Sequence, residues 1–182
     1  MKNLRQNIAN YLSSINVAQN ITSNLDFFLE LIPQIQNMIG FDHKHPHHHL
    51  DVWEHTLEVI RNLNTLDLEL NMAALFHDIG KPFCYQEGEV RHFHGHPEVS
   101  EKITRQILLK IGFDLNFLER VAYLVKTHDT PINPKQLDND LELIKKRLQL
   151  QYADAKAHHP SKVAPRISKL DSISHMINIE IK

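Results

Sequence analysis

One stretch of the chain carries more chemistry than any other: Met72-Ala73-Ala74-Leu75-Phe76-His77-Asp78-Ile79-Gly80-Lys81-Pro82. An apolar run ends in an imidazole, a carboxylate and an ammonium group. Gly80 and Pro82 are helix-stop signals. They put His77 and Asp78 in the last turn of a buried helix that runs from about Leu68 to Ile79. Burying a carboxylate there is costly unless something compensates its charge, and a metal ion would do so. Taken alone, a His-Asp pair at a helix end is more often an ordinary polar terminus.

Other polar positions share that placement. His55 flanks the apolar stripe of Trp53, Leu57, Ile60 and Leu63. His96 opens a helix behind Gly95, with Pro97 in the first turn. His128 ends the apolar helix that carries Leu115, Leu118, Val121, Ala122 and Val125. Asp154 lies among Ala153, Ala155 and Ala157, small residues that let helices pack closely around it. Imidazole nitrogens and carboxylate oxygens are ligands for Zn, Mn, Fe, Co and Ni. Helical bundles build metal sites from such groups on several helices.

The elements that must hold these groups are helices. Leu4, Ile8, Tyr11, Leu12 and Ile15 fall at helical spacing, and so do Leu25, Phe28, Leu29, Ile32, Ile35 and Ile39. Pro33 interrupts the second set and Gly40 ends it. The tract His43-Lys44-His45-Pro46-His47-His48-His49 is a loop, with one or two imidazoles lining a site. Asp51 is the N-cap of the next helix and Glu54 completes a capping box. Met72 to Phe76 is apolar on nearly all sides, the pattern of a central buried helix. Cys84 to His94, turning at Glu87-Gly88, predicts a short hairpin at the rim, with His92 and His94 on one face. Lys135 to about Ala157 predicts a helix. A final amphipathic helix with Val163, Ile167, Leu170, Ile177 and Ile181 covers the core or forms a homodimer face. The expected fold is an all-α bundle of about seven to nine helices with a small β-hairpin. It forms one domain over residues 1–182: an N-terminal helical cover (1–45), a metal-binding core (46–157) and a C-terminal helix (158–182).

Composition narrows the classes further. A chain of 182 residues fits one domain. A 42% hydrophobic and 23% charged composition is that of an ordinary soluble protein. A net charge of −2 supplies no basic field for nucleic acid or an anionic membrane. Cys84 is the single cysteine, so no disulfide framework forms within the chain, which fits a reducing compartment. The N-terminus has no signal-peptide pattern, and no apolar run approaches ~18 residues, so the cytoplasm is the expected location. With only 5 glycines and no glycine-rich phosphate motif, a P-loop or Rossmann enzyme is not expected.

Four segments are more specific. Asp51-Val52-Trp53-Glu54-His55-Thr56-Leu57, His77-Asp78-Ile79-Gly80-Lys81-Pro82, Gly95-His96-Pro97-Glu98-Val99-Ser100 and His128-Asp129-Thr130-Pro131-Ile132 resemble the HD-domain metal-dependent phosphohydrolases. Within that superfamily they resemble the HD domain joined to bacterial tRNA nucleotidyltransferases, here standing alone. The resemblance covers residues 46–157. It implies that His55, His77, Asp78 and Asp154 ligate a primary metal. It implies that His96 and His128 add a second metal, with Asp78 bridging the two. Asp78 and Lys81 are the implied catalytic residues, with Lys81 and His48 meeting a substrate phosphate. The implied cofactors are two divalent transition-metal ions (Fe, Mn, Ni, Co or Zn, with Mg also admissible).

The implied reaction is hydrolysis of a phosphomonoester or small phosphodiester, nucleotide-like, by a metal-bound hydroxide. Some members with the same six ligands are di-iron oxygenases, which is the alternative. A non-catalytic module that binds nucleotide or metal is a third reading. The expected partner is a small phosphorylated substrate rather than nucleic acid or a membrane. Only helical residues 1–45 precede the matching part, so nucleotide addition to tRNA is not expected. Asp129 is expected to orient His128. Arg91, Arg105, Lys126 and Arg147 are expected to be solvated surface charges, and Cys84 incidental.

Overall fold

The computed structural model describes residues 2–47, 49–135 and 140–180. Among them are ten helices: α1 (Lys2–Leu12), α2 (Val17–Ser23), α3 (Leu25–Leu31), α4 (Ile35–Met38), α5 (Val52–Leu63), α6 (Leu68–Phe76), α7 (His96–Ile111), α8 (Leu115–Thr127), α9 (Leu141–Ala157) and α10 (Pro160–Met176). The fold is all-α, as expected. The helix number exceeds the expectation because the N-terminal cover breaks more often than apolar spacing suggests. Asn16 takes a left-handed conformation (φ 60°) ahead of α2, which asparagine tolerates better than most residues. Pro33 separates α3 from α4.

The central element is α6. Every residue from Leu70 to Phe76 is buried, and the helix packs against α1, α5, α7, α8 and α9. One polar side chain sits inside this shell. The Asn71 amide donates to the carbonyls of Leu12 and Thr65, both at 2.8 Å. Those bonds satisfy the amide nitrogen and tie α1 and the α5–α6 connection to the central helix. The starts of the helices are fixed by aspartates. Asp51 and Glu54 form the expected capping box on α5. Asp67, Asp114 and Asp140 accept backbone amides at the starts of α6, α8 and α9. Caps of this kind are worth about 1 kcal/mol each. A smaller apolar cluster of Ile132, Leu148, Ala155, Leu170 and Ile173 seats α10 on α9.

Three expectations are corrected. Residues 84–94 do not form a hairpin; among the described residues a lone antiparallel bridge joins Gln86 to His92. Val90 is the segment's one β-branched residue, and beyond the reciprocal Gln86–His92 pair its backbone bonding turns outward. The Arg91 amide donates to the Lys44 carbonyl at 3.1 Å. Arg91 is not a solvated charge either. It is 9% exposed, with its guanidinium 4.6 Å from the Phe41 ring centre and 4.8 Å from that of Tyr85. It donates to Glu87 and to the Asp42 carbonyl. Arg147 is likewise engaged, donating to the Thr127 carbonyl at 3.2 Å and that of Thr130 at 2.7 Å. It braces the turn that carries His128. Among the described residues, no helix is long and apolar enough to cross a membrane.

Candidate metal centre

The site forms where helix ends meet. α6 stops at Phe76, earlier than expected, so His77 caps the helix and Asp78 lies in the following turn. The Ile79 amide bonds to the Phe76 carbonyl (3.2 Å) and the Lys81 amide to that of Asp78 (3.0 Å). Gly80 is required here by space rather than by its backbone angles. A Cβ at Gly80 would lie 2.7 Å from both the His96 carbonyl oxygen and the Ser100 nitrogen. The Gly80 amide donates to Ser100 Oγ at 2.9 Å. This close approach presses the turn onto the start of α7 and sets His96 opposite Asp78.

Asp78 is the hub. Its Oδ2 lies 3.2 Å from His77 Nε2, 3.6 Å from His55 Nε2 and 2.7 Å from Lys81 Nζ. Its Oδ1 lies 3.3 Å from His96 Nε2 and 3.6 Å from His128 Nε2. Asp154 joins through His55, whose Nε2 is 2.9 Å from Asp154 Oδ1. All six residues expected as ligands are therefore brought together, and all are buried. His48 lies outside the described residues.

The donor set fits divalent metal. His77, His96 and His128 each point Nδ1 at a backbone carbonyl (Ala74 at 2.7 Å, Phe93 at 2.9 Å, Val125 at 2.7 Å). A carbonyl only accepts, so each Nδ1 carries a hydrogen and each ring turns Nε2 inward, the atom that offers a lone pair to a metal. Two of those nitrogens, on His96 and His128, stand 3.1 Å apart. Nitrogens facing each other at that distance share either a proton or a metal ion. Among the described residues, the buried His77 Nε2 and Asp78 Oδ1 have no hydrogen-bond partner. Two groups of close-set ligand atoms result, His55–His77–Asp78 and Asp78–His96–His128, each able to hold an ion. Asp78 belongs to both.

The electrostatics follow from this crowding. Burial pushes the Asp78 carboxyl upward, but His77 and Lys81 outweigh it and hold the group well below the usual carboxylate range. Burial opposes Asp154 in the same way, and His158 and His55 bring it well below that range. Burial disfavours charge on His128, yet Asp78 more than offsets it and raises the imidazole.

The sequence reading missed two histidines. His43, not described there as a site residue by itself, is buried beside Lys81. Its Nε2 lies 3.2 Å from Lys81 Nζ and its Nδ1 3.0 Å from the Leu50 carbonyl. Burial, reinforced by the Lys81 charge, lowers its pKa to about 2. His43 is thus neutral and accepts from the ammonium. The signal was present: Phe41 and His43 turn inward on either side of exposed Asp42, an alternation easily lost in a run of histidines. His158 bonds the Asp154 carbonyl through Nδ1 at 2.7 Å, and burial lowers it to about 4. Asp129 does not orient His128, because that ring's Nδ1 is taken by Val125; Asp129 is exposed. Cys84 is partly buried and bonded to the Gly80 carbonyl, and burial raises its thiol, which disfavours the reactive thiolate.

A cleft of about 220 Å³ opens over the cluster, rimmed by His45, His47, His92, His94 and Arg166. A buried pocket of imidazoles and carboxylates at helix ends in an all-α bundle is an arrangement able to hold metal, and the family of the chain is shown directly. This chain belongs to the HD-domain family, whose model matches residues 52–174. It is similar to the CC-adding tRNA nucleotidyltransferase of Thermus thermophilus, with 40% identity over 104 residues, 53% of this chain and 24% of that protein. It is also similar to the A-adding tRNA nucleotidyltransferase of Deinococcus radiodurans, with 34% identity over 146 residues, 73% of this chain and 33% of that protein. The chain thus spans a third or less of the curated relatives it matches.

Proposed function

We propose that this chain is a metal-dependent phosphohydrolase acting on a phosphomonoester or small phosphodiester, nucleotide-like in size. The observation that carries the reading is Asp78, whose two oxygens face two separate groups of ligand atoms. His55, His77, Asp78 and Asp154 would hold one ion, and Asp78, His96 and His128 a second. Divalent ions bound there would supply Lewis-acid activation of a phosphoryl group and of water. The chain's own residues do the rest. Carbonyl bonds to Nδ1 keep three imidazoles in the ligating tautomer. Lys81 brings a buried positive charge to the cleft, kept there by Asp78 and His43. With Asp78 engaged by metal, that ammonium is available to a phosphate oxygen. His48 serves the same phosphate in this reading. A single domain and a cytoplasmic setting belong to the reading too, the latter supported by the lone cysteine. The relatives are named for acting on tRNA, which favours a nucleotide-like substrate.

The test is metal analysis of protein purified without a histidine tag, paired with a phosphate-ester panel under several divalent ions, with and without oxygen. The expected result is metal-dependent phosphate release that continues anaerobically. Turnover that requires oxygen would instead identify an iron oxygenase. Metal binding with no turnover of any ester would leave a binding module.

A further inference from the structure

The cleft over Asp78 does not end at its rim. It adjoins a second cavity of about 320 Å³ between the turn after α8 and the face of α10. His128, Asp129, Asp154 and Arg166 line both spaces. Together the two match the ~300–1,000 Å³ of small-molecule sites. The second cavity divides by chemistry. Pro131, Leu170 and Ile173 give it an apolar side, while Arg166 and Lys169, three residues apart on α10, give it a cationic one.

Arg166 stands at the junction. Its NH1 is 3.9 Å from Asp154 Oδ2, while Asp154 Oδ1 faces His55. That contact aims the guanidinium at the metal cluster without consuming it. Among the described residues no hydrogen bond engages the guanidinium, and its side chain is 38% exposed. Lys81 is different: it is buried, and Asp78 and His43 already hold it. The other long cations near the site are also committed, Arg91 to Glu87 and Arg147 to the Thr127 and Thr130 carbonyls. A planar guanidinium with open donors, beside a small-molecule cavity, matches a phosphate group in a two-point fashion. Asp129, exposed on the same wall, disfavours a purely anionic ligand and so favours one with a neutral body.

We infer that Arg166, assisted by Lys169, binds a second phosphate of the substrate and so selects nucleoside bisphosphates over monophosphates. One phosphate ester lies over Asp78, the other on Arg166, and the base lies against Pro131, Leu170 and Ile173. The assignment of the first phosphate rests on the phosphohydrolase reading; the binding preference does not require turnover.

The test is calorimetric titration of the manganese-loaded protein with adenosine 3′,5′-bisphosphate and with adenosine 5′-monophosphate. Wild type should bind the bisphosphate about tenfold more tightly, the worth of one charge-assisted phosphate contact. Arg166→Ala should erase that preference and change monophosphate affinity less than about twofold, while Arg166→Lys keeps part of it. Bound manganese should be unchanged in both variants. Equal wild-type affinity for the two probes, or a preference that survives Arg166→Ala, overturns the inference. So does equal loss for both probes, which would mean that Arg166 acts only through Asp154. Phosphate release measured on the same samples separates the two ideas. Arg166-dependent binding without release leaves this inference standing and sinks the hydrolytic reading. Release with Arg166-indifferent binding does the reverse.

Discussion

Two sets of histidines lie within the same small region, and they differ in what holds their rings. His77, His96 and His128 are buried at helix ends, each with Nδ1 fixed by the carbonyl three residues earlier. His45, His47, His92 and His94 form the rim and contact one another, with His45 and His47 rings 4.4 Å apart and His92 stacked on His94 at 5.6 Å. The buried rings each turn Nε2 toward Asp78, whereas in the rim the His45 Nδ1 accepts from the His47 amide at 3.2 Å. Residue type is therefore a poor guide to ligation, and a buried ring nitrogen within 3.6 Å of an Asp78 oxygen is a better one.

Replacing the hub should produce the largest difference between the sets. Asp78→Asn removes an oxygen charge from both groups of ligand atoms. Ester hydrolysis should fall at least about a thousandfold, equivalent to about 4 kcal/mol of transition-state stabilisation. Metal content measured on the same preparation should fall with it. A variant that retains metal and activity would dissolve the distinction. Stripping the metal with a chelator is the next largest step. At an ion concentration of about 100 times the dissociation constant, binding stabilises by about 2.7 kcal/mol. The thermal midpoint should therefore drop by several degrees on chelation and return on adding manganese.

Gly80→Ala attacks the positioning instead of the ligands. The added Cβ meets backbone of α7 rather than a flexible side chain, so the turn must shift away from His96. A cost of about 1–3 kcal/mol is expected, and under the two-ion proposal it comes with selective loss of the ion assigned to His96 and His128. Urea midpoints and metal stoichiometry would show whether the site loosens before the fold does.

The legibility of these features in the sequence follows the same division. The buried helices were readable because apolar spacing, aspartate caps and stop signals all act locally; α5, with Asp51 and Glu54, is the clearest case. The six clustered residues were readable because each stands at the end or inner face of such a helix, and because their order resembles a known family. What was not readable depends on contacts between distant segments. His43 became a site residue only because Lys81, far along the chain, points at it. Arg91 left the surface because Phe41 and Tyr85 meet around it. The hairpin stops at one bridge for a related reason: the Arg91 amide goes to the Lys44 carbonyl, a partner that no local pattern reveals.

His43 allows a finer comparison, between a buried imidazole that ligates nothing and those of the cluster. Its pKa is depressed from 6.5 to about 2, by burial first and by Lys81 second. A depressed group contributes stability that is present above the unfolded value and lost as pH falls toward the folded one. Metal-free protein should therefore lose stability as pH drops below about 6.5, at up to about 1.4 kcal/mol per pH unit from this group. His43→Gln keeps an acceptor for Lys81 but has no proton to gain. Its urea midpoint should change less steeply than wild type between about pH 6.5 and 4.5, a span in which this imidazole is protonated when unfolded but neutral when folded. Parallel slopes would show that His43 is not the group responsible.

The rim set provides the smallest expected effect and the cleanest contrast. Replacing His45, His47, His92 and His94 together with glutamine removes half-exposed or exposed rings that hold no backbone in register through an imidazole bonded to a distant carbonyl. Surface changes of this kind are usually within about 0.5 kcal/mol each. The quadruple variant should bind the same number of ions as wild type, because no ligand tautomer depends on these rings. If metal content fell as far as in Asp78→Asn, the rim would be part of the centre, and contact with Asp78 would not be what separates ligating from bystander histidines.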